Sequence, residues 1–159
     1  MLATRRTVEM STTEMNVVVY HDRKADRDMI RAHEWEYSGV RPPRLKFQVL
    51  LTTYEMLLAQ DAGDLLRISW AGLVVDEAQR LKSHKSKLTN VLLSLKAHHK
   101  VLLTGTPLQN NTQELWTLLN FIDNDQFASL DKFLNEYGDL KEATQVEKLQ
   151  KTLRPYMLR

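Results

Sequence analysis

The sequence predicts an α/β fold built on a parallel sheet with helices on both faces. Three observations carry this. Short, β-branched or leucine-rich apolar runs recur along the chain, and segments with helical periodicity separate them. Polar or glycine-containing segments follow three of those runs, which is where ligands gather on such sheets. Composition is that of a globular protein: 159 residues, 43% hydrophobic and 26% charged. A chain of this size buries roughly two-thirds of its unfolded surface, enough for one domain.

The elements follow in order. Residues 1–15 show no periodicity and are expected to be a loop or a non-native start, with the domain proper at 16–159. Asn16–Tyr20 (NVVVY) reads as a buried strand. Asp22–Glu36 reads as an amphipathic helix, with Asp22 as N-cap and Ala25, Met29, Ile30 and Trp35 on its apolar side. Ser38–Arg44, with Gly39, Pro42 and Pro43, reads as a loop. Lys46–Leu51 is the second strand, Thr53–Gln60 a short helix, and Ala62–Trp70 a turn with partial helix. Gly72–Val75 is the third strand. Lys85–Leu95 is a helix with Leu88, Val91, Leu92 and Leu95 on one side. Lys100–Leu103 is the fourth strand. Thr112–Ile122 is a helix with Leu115, Trp116, Leu118, Leu119 and Ile122 inward and Thr112 as a possible cap. Helices at Leu130–Tyr137 and Thr144–Leu153 follow, with Gly138 between them.

Composition excludes several classes of function. There is no cysteine, so disulfide partners, cysteine-ligated zinc and thiol catalysis are out. The longest apolar runs, Val17–Tyr20 and Met56–Ala59, fall far short of the ~20 residues of a membrane span. The first fifteen residues have a basic pair but no apolar core, so they are no secretory signal. Net charge is +2, from 22 basic and 20 acidic residues. Against that balance one stretch stands out. Between Glu77 and Glu114 there is no acid, while Arg80, Lys82, Lys85, Lys87, Lys96 and Lys100 lie within it, with His84, His98 and His99. Such an excess suits a phosphate backbone, and equally a solvated helix face.

Three strand ends carry chemistry. Val74-Val75-Asp76-Glu77-Ala78-Gln79 sets adjacent carboxylates at the end of an apolar strand. One can face a hydrated magnesium ion while its neighbour orients a water; the bland alternative is a helix cap. Leu103-Thr104-Gly105-Thr106-Pro107 offers small hydroxyls and a glycine for close approach, or an ordinary turn. Leu51-Thr52-Thr53-Tyr54 offers hydroxyls to phosphate oxygens, or Thr53 as the N-cap of the next helix.

In their order along the chain and their spacing, the segments at Thr52, Asp76 and Thr104 resemble motifs Ib, II and III of superfamily 2 helicase-like ATPases. VVDEAQRLKS followed by KVLLTGTPLQNN is similar to the Snf2 family of chromatin remodellers. TEMNVVVYH, FQVLLTTYEMLLA, ELWTLLNFID, FLNEYGDLK and QVEKLQKTLRPYMLR extend the resemblance over residues 13–159. It is closest to the chromodomain-helicase-DNA-binding proteins, in particular their Kismet-like subgroup.

The resemblance implies a partial RecA-like lobe and a set of roles. Asp76 would hold magnesium and Glu77 would be the general base. Gln79, Thr104, Gly105 and Thr106 would couple nucleotide state to DNA contact. Thr52, Thr53, Tyr54, Arg80 and Lys82 would touch DNA. The intact parent would use ATP and Mg2+, act on DNA and nucleosomes in the nucleus, and work with a second ATPase lobe. Two departures matter. The family usually has His where this chain has Gln79, which keeps hydrogen bonding but carries no charge. The pattern G-x-x-x-x-G-K-[ST], which holds nucleotide phosphates, does not occur among the five glycines Gly39, Gly63, Gly72, Gly105 and Gly138. The expectation is therefore a piece of the first lobe that binds no cofactor and turns over no ATP by itself. The alternative is a non-catalytic DNA- or protein-binding module derived from that lobe.

Overall fold

A computed structural model describes residues 15–60, 62–81, 86–105, 112–138 and 143–157. The chain divides into two compact units, at residues 1–68 and 69–159. Each is described by itself.

In the first unit, β1 (Val17–Tyr20) pairs in parallel with β2 (Val49–Thr52), Val17 opposite Val49 and Tyr20 opposite Thr52. Val17, Val18 and Tyr20 are almost fully buried, as a β-branched run in a covered parallel strand requires. The connection between them holds α1 (Lys24–His33) and an antiparallel bridge between Glu36 and Leu45. Trp35 and Phe47 at the base of that bridge are buried, with ring centroids 5.3 Å apart, and Trp35 lies 5.4 Å from Tyr20. After β2 come α2 (Tyr54–Leu57) and α3 (Gly63–Arg67).

Helix α1 departs from its expected form. It is shorter than Asp22–Glu36, and its N-cap is Arg23, whose backbone N–H donates to Asp26 Oδ2 at 3.2 Å. Asp22 lies outside the helix in the left-handed region, at φ +71°. The face expected to be apolar is not the buried one: Met29 is 61% exposed, whereas Arg27 is 7% exposed. Tyr20 explains the reversal. Its ring is flanked by the guanidinium groups of Arg27 at 6.0 Å and Arg31 at 5.9 Å, and Arg31 also donates to the Tyr20 hydroxyl. Long cationic side chains can cover an aromatic with their stems and interact with its face. A hydrophobic-periodicity reading scores only the apolar residues and overlooks them. Trp35 is buried, as its hydrophobicity demands, but from beyond the helix end.

In the second unit, β3 (Ser69–Val75) and β4 (Lys96–Leu102) form a second parallel pair, with Val74 opposite Val101 and Val75 opposite Leu102. Both strands start earlier than expected, because Ser69 and Trp70 pair with Lys96 and Ala97 ahead of the expected runs. Between them α4 (Lys87–Ser94) buries Thr89 and Leu92; Ser86 caps it by accepting the Thr89 N–H at 3.1 Å.

The rest of this unit is helical: α5 (Thr112–Ile122), α6 (Leu130–Tyr137) and α7 (Ala143–Leu153). Thr112 opens α5 from within the helix rather than as its cap. Leu115, Trp116 and Leu119 of α5 share one core with Phe127, with Phe133 and Tyr137 of α6, and with Leu149 and Leu153 of α7. Gly138 ends α6 at φ +57°, a conformation that suits a residue without Cβ. Lys100 of β4 donates through Nζ to the Phe121 carbonyl at 2.9 Å, near the end of α5, where a cation is favoured. One of the six cations of the acid-free stretch is thus engaged inside the fold.

Candidate functional site

The carboxyl ends of β3 and β4 carry the carboxylate pair and the hydroxyl segment. The strands keep in step past their last paired residues: Leu103 N–H donates to Val75 O at 2.8 Å, and Ala78 N–H donates to Leu103 O at 2.9 Å. These bonds hold Asp76-Glu77 beside Thr104.

The turn is sharp because Glu77 is left-handed, at φ +52° and ψ +46°. A residue other than glycine rarely adopts this conformation, and it needs support from its surroundings. Asp76 Oδ1 supplies some, accepting the Glu77 N–H at 2.9 Å. A short 3-10 turn (Ala78–Arg80) follows, with Ala78 fully buried. Glu77 stands at its N-cap position but makes no side-chain capping bond, so capping does not account for the carboxylate. Arg80 is exposed.

Gln79 ties the site together. Its Nε2 donates to Glu77 Oε2, and its Oε1 accepts from Thr104 Oγ1 at 3.0 Å. The amide therefore spans the two strand ends, its donor side toward the carboxylate and its acceptor side toward the hydroxyl. Gly105 follows, exposed, with open space where a Cβ would stand. Lys82 and Thr106 lie outside the described residues, as do residues 1–14.

The expected DNA-contacting residues of the first unit sit at the carboxyl end of β2. Thr52 Oγ1 donates to Tyr20 O at 2.8 Å, so its proton serves the strand pair. Thr53 Oγ1 accepts the Met56 N–H at 3.4 Å as the N-cap of α2, and its own proton can still be donated outward. Tyr54 is half-buried at the first position of α2. The segment between the bridged residues Glu36 and Leu45 is expected from its sequence only to be a loop. Its one sequence signal is a run without acids from Tyr37 to Tyr54, opened by an aromatic and two arginines.

A model of the SNF2-related domain matches residues 6–159. Chromodomain-helicase-DNA-binding protein 6 of Rattus norvegicus is 49% identical over 151 residues, which are 92% of this chain and 6% of that protein. Chromodomain-helicase-DNA-binding protein 8 of Danio rerio is 48% identical over the same shares. The chain thus spans about one-sixteenth of the length of these relatives. Among solved structures, the Sulfolobus solfataricus SWI2/SNF2 ATPase core in complex with dsDNA matches with a TM-score of 0.75 and 25% identity, over 99% of this chain and 32% of that one. The expected α/β, RecA-like fold is the one found. With the family model covering nearly every residue and relatives close to half identical, the chain belongs to the SNF2-related domain family.

Proposed function

We propose that this chain is part of the first ATPase lobe of an ATP-dependent chromatin remodeller, which moves along nucleosomal DNA in the nucleus. The observation that carries the reading is the Gln79 amide bridging Glu77 and Thr104. In it a candidate base is oriented by a neighbour that also touches the next strand. That is the arrangement needed to link hydrolysis at one strand end to contacts at another.

Glu77 is the proposed general base, with Gln79 fixing its carboxylate and Thr104 fixing Gln79. Asp76 is the proposed magnesium ligand. Its oxygen donors suit that ion, which takes one or two carboxylates and completes its shell with water and phosphate oxygens. Magnesium, when bound with ATP, supplies positive charge at the phosphates. The phosphates would be held by residues outside these 159, since no phosphate-loop pattern occurs among them. The parent's second ATPase lobe would complete the motor.

Thr53, Tyr54 and Arg80 are the proposed backbone contacts. A relative solved with dsDNA supports this. Phosphate contacts make affinity fall steeply with salt. The test uses fluorescence anisotropy of a labelled duplex with the full chain, between about 50 and 200 mM salt. Loss of affinity over that range is expected, and no binding even at the lowest salt would overturn the DNA role. ATP turnover by the isolated chain should match that of its Glu77→Gln variant. The second reading, a non-catalytic binding module, is favoured by the absence of the phosphate-loop pattern. A chimera separates the two: this chain in place of the matching part of an intact SWI2/SNF2 ATPase core. DNA-stimulated turnover abolished by Glu77→Gln supports the motor, and none at all supports the module.

A further inference from the structure

We infer that the Glu36–Leu45 hairpin is a docking point for an acidic protein segment, separate from any DNA contact. It is held firmly at its base. Tyr37 N–H donates to Arg44 O and Lys46 N–H to Trp35 O, both at 3.0 Å, beside the Glu36–Leu45 bridge. Buried Trp35 and Phe47 anchor its two ends, and Asn16 Nδ2 donates to Lys46 O at 2.6 Å.

What this mount displays is unusual for a solvated loop. Tyr37 is 49% exposed and Val40 45%. Arg41 and Arg44 are also exposed, and among the described residues no carboxylate stands within ion-pair distance of either. Lys46, by contrast, is occupied: its Nζ donates to His33 O at 2.7 Å and lies 5.8 Å from the Tyr37 ring centre. Single exposed apolar residues need no explanation. An aromatic, a valine and two uncommitted arginines on one backbone-bonded tip are different. Tyrosine and arginine are the side chains that dominate protein interfaces, and the prolines at 42 and 43 limit the freedom lost on binding.

Position and chemistry together favour protein over nucleic acid. The hairpin enters β2 at its amino end, where Gln48 N–H donates to Asn16 O. Thr52 and Thr53 stand at the other end of that strand, which spans about 13 Å at the usual rise. A phosphate backbone has no use for Val40, whereas an acidic segment with an apolar residue uses all four side chains.

The test measures anisotropy of a fluorescein-labelled peptide of repeated Asp-Glu-Leu against the full chain, with a labelled duplex in parallel. Arg41→Ala with Arg44→Ala should weaken the peptide on the order of tenfold and leave the duplex unchanged. Tyr37→Ser with Val40→Ser should weaken the peptide but not a poly-Glu probe lacking leucine. All four positions are exposed, so circular dichroism should show folding intact, and Arg41→Lys with Arg44→Lys should keep part of the affinity. Unchanged peptide binding in the alanine double variant would overturn the inference. So would loss of duplex binding with the peptide unaffected, which would make the hairpin a phosphate contact.

Discussion

The Thr104 hydroxyl donates to the side-chain oxygen of Gln79 at 3.0 Å, joining the ends of two neighbouring parallel strands. Since the same amide also donates to Glu77, a change at Thr104 reaches the carboxylate through one side chain. A hydrogen bond of this kind contributes about 1 kcal/mol. In the chimeric ATPase core, Gln79→Ala should therefore lower DNA-stimulated turnover by about fivefold for each such bond that the transition state needs. Glu77→Gln should cost ~100-fold or more, as loss of a general base does. A Gln79→His variant should keep turnover at pH 8 and gain a pH dependence near the imidazole pKa of about 6.5, which the amide lacks. Unchanged rates in Gln79→Ala would remove Gln79 from the coupling.

Asp22 holds φ +71° two residues after the end of β1, with its Oδ1 2.7 Å from His21 Nδ1. A left-handed residue with a Cβ costs roughly 1–2 kcal/mol, less for Asp than for branched residues. Glycine removes that cost but loosens the unfolded chain by about 0.4–1 kcal/mol. Asp22→Gly should therefore leave stability unchanged or raise it slightly, and Asp22→Val should lower it by about 1–2 kcal/mol. Urea unfolding of the three proteins measures this. Equal destabilisation by both substitutions would mean that the Asp22 side chain, not the backbone, is what matters.

These residues mark where the sequence was legible. The Asp76-Glu77 and Thr104-Gly105 segments were readable because strand ends on parallel sheets have a fixed meaning and the motif order is specific. Helices α5 and α6 matched their expected bounds because apolar spacing and a terminal glycine agree. Reading failed where cations did the burying, as Arg27 does against Tyr20, and where a strand began in polar residues, as β4 does at Lys96. The left-handed turn at Glu77 and the bridging by Gln79 have no signature in periodicity. They arise from contacts between strand ends far apart in the chain.

Tyr156 closes the helical part of the second unit. Its hydroxyl donates to Asp123 Oδ2 at 2.9 Å, with the Gln126 side-chain amide also in contact. The Gln126 backbone N–H and then the Tyr156 hydroxyl hold the Asp123 carboxyl below its ordinary pKa; partial desolvation and the Asp123 charge raise that of Tyr156. The depressed carboxyl contributes stability that is present above its unfolded pKa of about 3.9 and is lost as pH falls through the lower folded value. The raised phenol contributes stability that is present below about pH 10 and is lost as pH rises through its folded value. Tyr156→Phe should flatten both limbs of the stability profile, and Asp123→Asn should flatten the acid limb more. Denaturant midpoints from pH 3 to 10.5 would show it; parallel profiles for wild type and Tyr156→Phe would count against the contact.

The Phe127 carbonyl accepts from two buried side chains of the helical core. Trp116 Nε1 and Asn120 Nδ2 both donate to it at 3.0 Å, from successive turns of α5, and both side chains are buried. The Phe127 ring is held as well, 6.1 Å from Phe133 and 5.5 Å from Tyr156. A carbonyl has two lone pairs, and one donor is enough to avoid a buried orphan. Trp116→Phe keeps most of the ring packing and should cost about 1–2 kcal/mol from the lost bond and the smaller side chain. Asn120→Ala should cost a similar amount, about 1–2 kcal/mol. The double variant leaves the carbonyl buried with neither donor, adding a desolvation penalty of roughly 1–3 kcal/mol. Its loss should therefore exceed the sum of the single losses by at least ~1 kcal/mol, read as the coupling in a double-mutant cycle. Strict additivity would mean that water reaches the carbonyl once the side chains are trimmed, and that this corner of the core is held by ring packing alone.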